Sequence, residues 1–79
     1  MRTVEFEKDF AIDLIETKLA VVNKEIQAIL ENWNQESAEE MIKKTRKGEL
    51  SEAENDAISL TNLVDMQNYL EEVLQEIEE

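Results

Sequence analysis

The sequence has no cysteine, histidine or proline and only one glycine in 79 residues. Without cysteine or histidine, the chain can form no disulfide and no thiolate or imidazole metal site. Carboxylate sites for hard cations are the metal chemistry that remains. A chain this short, read as one domain over residues 1–79, buries roughly 60% of its unfolded surface and usually needs an additional source of stability. We therefore expect it to self-associate.

A long apolar run is also missing. The first ten residues, MRTVEFEKDF, contain no uninterrupted apolar segment of the kind found in secretory signals. No stretch approaches the roughly 20 apolar residues of a membrane-spanning helix. The expectation from sequence is a cytoplasmic protein that does not contact membranes.

Positive charge is scarce as well, because 20 acidic residues oppose 8 basic ones and leave a net charge of −12. Such a surface repels nucleic-acid phosphates and anionic lipids. The chain has only four aromatic residues, and they are not gathered into a surface on which bases could stack. We expect no nucleic-acid partner, and a protein with a basic surface is the favoured class of partner.

The chain is organised around residues 11–33, where apolar residues recur every three or four positions. They are Ile12, Ile15, Leu19, Val22, Ile26, Ile29 and Trp33. This spacing predicts an amphipathic helix, which we place at 4–33 with Thr3 as its N-cap. A later start near Phe10, capped by Asp9, is the alternative.

The same helix carries a second, thinner apolar line, well over 90° around from the first. It consists of Phe6, Phe10, Leu14, Val21 and Ala28. One partner helix covers one stripe, so two stripes predict two neighbours.

Two capping-box signatures, Ser37 with Glu40 and Ser51 with Glu54, predict the starts of two more helices. The first is short, 38–47, and Gly48 follows it at the position that favours glycine. The second spans 52–77, and its apolar positions cover about 200° of the helix, more than one helical neighbour requires.

These elements predict an all-α fold. Two long helices and one short one form a long antiparallel hairpin, with the short helix at its elbow. A monomer of this shape leaves apolar surface exposed, so we expect two copies to pair into a dimeric four-helix-type bundle.

Groups that could perform catalysis are few. Ser37 and Ser51 sit at capping positions and have no base to activate them. Carboxylate pairs suggest an alternative, a magnesium-dependent all-α nucleotide hydrolase of the EExxE type, but Lys43 stands where the third acid after Glu39 and Glu40 belongs. We therefore expect a protein that is not an enzyme and needs no cofactor.

Half of the positive charge lies in one basic run at the predicted elbow, formed by Lys43, Lys44, Arg46 and Lys47. These cations complement the dipole at the end of a helix, or they contact an anionic partner. Trp33 lies near them, and it is either buried between the helices or an interface anchor.

Residues 48–79 contain ten acids and no base. Glu71, Glu72 and Glu76 lie in the last turns of a helix, where negative charge is unfavourable. In an antiparallel hairpin they lie beside Glu7 and Asp9. This acidic end is either a solubility surface or a docking surface for a basic partner.

The sequence thus favours a small acidic helical interaction module that self-associates and binds or regulates a protein partner. The alternative is an acidic mimic of nucleic acid that occupies, and so inhibits, a basic target.

Overall fold

The computed structural model describes the backbone of residues 3–78 and the side chains of residues 7–78. The helices are α1 (Thr3–Asn32), α2 (Ala38–Arg46) and α3 (Glu54–Glu78), with a 3₁₀ turn at Ser51–Ala53 before α3. Residues 3–78 contain no strand. The predicted all-α class is confirmed.

The first two helices begin and end within one residue of the expected positions. Because α1 already includes Thr3, the alternative start near Phe10 is wrong. The side chains of Thr3 and Phe6 lie outside those that the structure describes. The predicted cap at Thr3 and the apolar contact expected for Phe6 therefore stay predictions. The third helix differs at its start, where Ser51–Ala53 is a 3₁₀ turn and the α-helix begins at Glu54.

Both turns between the helices use a residue with positive φ. Asn34 follows α1 with φ 54°, and the next backbone N–H donates to the Leu30 carbonyl at 2.8 Å. Gly48 follows α2 with φ 84°, and the next N–H donates to the Lys44 carbonyl at 2.9 Å. These are Schellman motifs, which satisfy the last carbonyls of a helix and turn the chain sharply.

The long helices α1 and α3 lie side by side and run in opposite directions. Two side-chain hydrogen bonds fix their alignment: the Trp33 indole N–H donates to Asp56 at 2.8 Å, and the Gln67 amide donates to Asn23 at 2.6 Å. Residues of α1 and α3 at the same height therefore have numbers that add up to about 90. The molecule measures 56 × 18 × 18 Å.

The buried core lies in the half of the molecule that contains α2. We call residues 33–53, which comprise both turns and α2, the elbow. The buried side chains are Val22, Ile26, Leu30, Met41, Ala53, Ala57 and Leu60. Leu30 was not in the predicted apolar series, but it contacts this core because α2 packs from that side. Farther from the elbow, Ile12, Ile15 and Leu19 are only half-buried.

Candidate interaction surfaces

Trp33 lies at the start of the elbow and is half-buried against the core. Its indole N–H is bonded to the Asp56 carboxylate at 2.8 Å, and its backbone carbonyl accepts from the Gln35 side chain at 2.9 Å. The structure thus places Trp33 between α1 and α3, with its polar atom satisfied inside the chain.

The basic run occupies the last turn of α2 and its cap. Lys43, Arg46 and Lys47 are exposed, whereas Lys44 is half-buried. Lys47 is the C-cap residue, and the other three lie in the last helical turn, where cations complement the helix dipole. The elbow is not basic overall, since residues 33–53 contain five acids against these four bases.

A shallow groove of about 400 Å³ runs between α2 and α3. Ile42, Ala57 and Ile58 supply its apolar surface, and Arg46 and Glu54 place opposite charges along it. Two threonines also line the groove, and their hydroxyls donate to backbone carbonyls of their own helices, Thr45 to Met41 and Thr61 to Ala57.

An acidic pole lies at the end of the molecule away from the elbow. We define it as the carboxylates of residues 7–18 and 71–78, which the alignment of α1 with α3 brings to the same heights. All eight are exposed, and only Lys8 and Lys18 lie among them. The carboxylates are Glu7, Asp9, Asp13, Glu16, Glu71, Glu72, Glu76 and Glu78.

The residues that sequence analysis selected for partner binding therefore form two separate sets. Trp33 and the basic run belong to the elbow, and Glu71, Glu72 and Glu76 belong to the acidic pole. In a molecule 56 Å long, one compact partner site does not contain both sets.

A row of apolar residues on α3 continues from the core towards the C-terminal end of the helix. It consists of Leu63, Met66, Leu70, Val73 and Ile77, of which Leu63 and Leu70 pack against the core. Met66 is 41% exposed, and the other four are half-buried. Their spacing of 3, 4, 3 and 4 residues is the heptad pattern of a helix–helix contact, and this signal was available in the sequence.

The outer face of α1 is also apolar at these heights. Phe10, Leu14 and Val21 are 60%, 56% and 46% exposed, and they lie level with the C-terminal half of α3. The second apolar line expected on α1 is thus present where its side chains are described, and residues 7–78 leave it largely exposed.

Carboxylates do not converge on a common centre in the part of the chain that the structure describes: no three acidic side chains are close enough to hold a metal ion. Among the same residues, no helix is long and apolar enough to cross a membrane.

Comparisons with known proteins return no relative. No family model, no curated protein and no solved structure matches this chain.

Proposed function

We propose that this protein is a non-enzymatic interaction module: a helical hairpin with a short helix at its elbow that self-associates into a four-helix-type bundle and binds or regulates a protein partner. The observation that carries the proposal is the amount of surface that the single chain leaves exposed. The accessible area is 5944 Å² for a mass of 9.2 kDa.

A compact monomer of that mass exposes about 4,900 Å². The excess of about 1,000 Å² slightly exceeds the roughly 800 Å² that each partner buries in a standard interface. The radius of gyration, 16.1 Å, likewise exceeds the roughly 12 Å of a compact domain of this length. Pairing of two chains would bring the exposed area into the normal range.

Large apolar side chains make up part of this excess surface. Phe10, Leu14, Ile58, Met66 and Tyr69 are each more than 40% exposed. Scattered apolar residues are ordinary on a surface. Apolar residues that repeat at helical spacing along both long helices instead favour helix–helix association.

The acidic pole is the surface we propose for a partner. Its eight exposed carboxylates and two lysines form an anionic end that attracts a basic protein surface over roughly a Debye length, about 8 Å at physiological salt. Binding there would make the protein a regulator through occupancy of a basic surface. This is also the sense in which it could mimic nucleic acid.

Sedimentation equilibrium across a concentration range at low and physiological salt tests self-association. We expect a dimer at micromolar concentration in both salts, because the contact is mainly apolar. A strict monomer at every concentration would contradict the proposal. A dimer present only at low salt would show that charge, and not apolar surface, holds the chains together.

A further inference from the structure

One row of side chains on α1 lies on the face opposite to the core. It contains Phe10, Leu14, Thr17 and Val21, and all four are exposed. At 100° per residue, the row lies about 150° around α1 from the buried residues of the same helix. We call it the outer row. Its spacing of 4, 3 and 4 residues is that of a helix–helix contact, which residues 7–78 leave without a helix on this side.

Opposite charges lie at the two ends of the outer row. Glu7 comes three residues before Phe10 and Lys24 comes three residues after Val21, so both continue the same spacing. Both side chains are exposed. From Glu7 to Lys24 the row covers about 26 Å of helix, which is more than two heptads. It therefore presents an apolar centre between one anionic end and one cationic end.

The face of α3 that points away from α1 is less suited to an apolar contact. Residues at the same spacing there are Ile58, Asn62, Asp65, Tyr69, Glu72 and Glu76. Three carboxylates thus interrupt this face, and residues 48–79 contain no base to balance them. In contrast, residues 7–24 of α1 hold four acids and three lysines and are nearly neutral. Of the two long helices, α1 therefore has the outer face that a second helix covers at the lower electrostatic cost.

A second copy of the chain fits the outer row in area and in charge. The exposed area exceeds that of a compact monomer by about one standard half-interface, as calculated above. In an antiparallel pair centred between residues 15 and 16, Phe10 of one copy lies level with Val21 of the other. Glu7 of each copy then lies level with Lys24 of the other, so opposite charges meet at both ends. A parallel pair instead places Glu7 against Glu7 and Lys24 against Lys24, and these like charges repel.

A shallow depression beside Val21 supports the same register. It has a volume of about 420 Å³, and its lining includes Ala20, Val21 and Lys24. In the antiparallel pair, Phe10 of the other copy lies level with this depression. The phenyl ring, which is 60% exposed in the single chain, then contacts small apolar side chains instead of water.

We propose that a second copy docks antiparallel along the outer row of α1, with the two-fold axis close to residues 15 and 16. This inference rests on the self-association proposed above and adds its surface and its direction. The two α1 helices lie together at the centre of the dimer, and the α3 helix of each copy lies on the outside. Because packed helices are 8–10 Å apart, the two acidic segments 71–78 are then separated by roughly 20 Å or more. This distance exceeds the Debye length of about 8 Å at physiological salt, so their repulsion is largely screened.

A matched pair of substitutions tests the surface. Leu14 in the outer row and Ile58 on α3 are large apolar side chains that are both 56% exposed, so replacing either with glutamate introduces the same charge at a similar cost to the monomer. In sedimentation equilibrium we expect Leu14→Glu to weaken dimerisation at least tenfold. Ile58→Glu should leave it within about twofold of the unmodified chain. Equal effects of the two substitutions, with helicity retained by circular dichroism, would overturn the assignment of the surface.

Spin-label distances test the direction, and the absence of natural cysteine makes each introduced cysteine unique. Glu31 is exposed and lies near the end of α1, so labels on Glu31→Cys should lie about 46 Å apart in the antiparallel dimer. In a parallel dimer they would lie within about 25 Å, since packed helices are 8–10 Å apart. Glu16→Cys is the control, because this exposed glutamate lies beside the two-fold axis and its labels are close together in both orientations.

The outcomes separate the two proposals. A dimer that tolerates Leu14→Glu, or one with a short Glu31 distance, overturns the antiparallel contact along the outer row and leaves self-association intact. A protein that stays monomeric by mass, with no dipolar coupling at either labelled site, overturns both.

Discussion

At the scale of single residues, Trp33 makes a side-chain contact near the elbow that connects distant parts of the sequence. Its indole N–H donates to the Asp56 carboxylate at 2.8 Å, across 23 residues. A hydrogen bond to a charged acceptor is stronger than one between neutral groups, and both side chains here are half-buried. The bond therefore helps to hold the end of α1 against the start of α3.

The Trp33–Asp56 bond predicts a coupled loss of stability. We expect Trp33→Phe and Asp56→Ala each to lower the free energy of unfolding by about 1–2 kcal/mol, and the double variant to lose about 1 kcal/mol less than the sum. Urea unfolding at one fixed protein concentration measures all four chains. Tyr69→Phe is the aromatic control, because Tyr69 is 65% exposed, and it should change stability by less than about 0.5 kcal/mol. Simple additivity of the two substitutions would show that the bond contributes nothing.

Predictions for single residues were confirmed where the spacing of apolar residues along one helix determines which side chains are buried. Val22 and Ile26 were expected in the apolar series and are buried. The hydrogen-bond partner of Trp33 could not be predicted, because the two turns between α1 and α3 determine that Asp56 lies beside it. The burial of Leu30 was missed for the same reason, since it depends on the side from which α2 packs.

At the scale of secondary-structure elements, two serines with the same sequence signature play different parts. Ser37 is the N-cap of α2 in an extended conformation, and its hydroxyl accepts from the Glu40 N–H at 3.2 Å. Ser51 is already the first residue of the 3₁₀ turn, and Leu50 before it provides no side-chain cap. The expected capping box at Ser51 and Glu54 is therefore wrong.

This difference predicts unequal effects of the same substitution. Ser37→Ala should lower the free energy of unfolding by about 1 kcal/mol, because it leaves a backbone N–H of α2 without its acceptor. Ser51→Ala should change it by no more than about 0.3 kcal/mol, since its hydroxyl is not the cap of α3. Thermal unfolding followed by circular dichroism provides the comparison. Equal losses at the two positions would mean that Ser51 caps the helix after all.

The physical reason for the difference is the burial of Ala53. This side chain is fully buried, and its backbone N–H donates to the Leu50 carbonyl at 2.9 Å. The segment packs tightly against the core, and a 3₁₀ turn brings it there within three residues. The Ser–Glu capping pattern spans four residues and carries no information about how the segment packs against the core. Sequence therefore located the third helix, but not the way in which it starts.

At the scale of the whole molecule, composition predicted that charge would be unevenly distributed, and the structure adds where the charges lie. Half of the basic residues are in α2 or at its cap, but acids surround them, so the elbow is not the positive end that the basic run alone suggested. The opposite end carries the eight exposed carboxylates of the acidic pole. The direction in which two copies would pair could not be predicted from the sequence, because the spacing of apolar residues does not state the direction of a partner helix.

The acidic pole predicts salt-sensitive binding of a basic ligand. A decalysine peptide should bind in calorimetry at 0.05 M salt and several-fold more weakly at 0.2 M, as the Debye length falls from about 14 to about 7 Å. Replacing Glu71, Glu72, Glu76 and Glu78 by glutamine should weaken binding further at low salt. The control replaces four glutamates outside the pole, Glu31, Glu36, Glu49 and Glu52, and matches the change in net charge. Equal binding by the two variants would show that net charge matters and the pole does not.

The position of the core near one end also determines how the chain folds. Among the side chains of residues 7–78, every fully buried one lies between residues 22 and 60, so the contacts that stabilise the fold are concentrated beside the elbow. Helical proteins, in which most contacts are local, typically fold in microseconds to milliseconds. We expect the elbow to form first and the packing of α1 against α3 to extend from it towards the acidic pole. In the monomer, backbone amides should accordingly exchange with solvent most slowly beside the elbow and fastest at the two free helix ends.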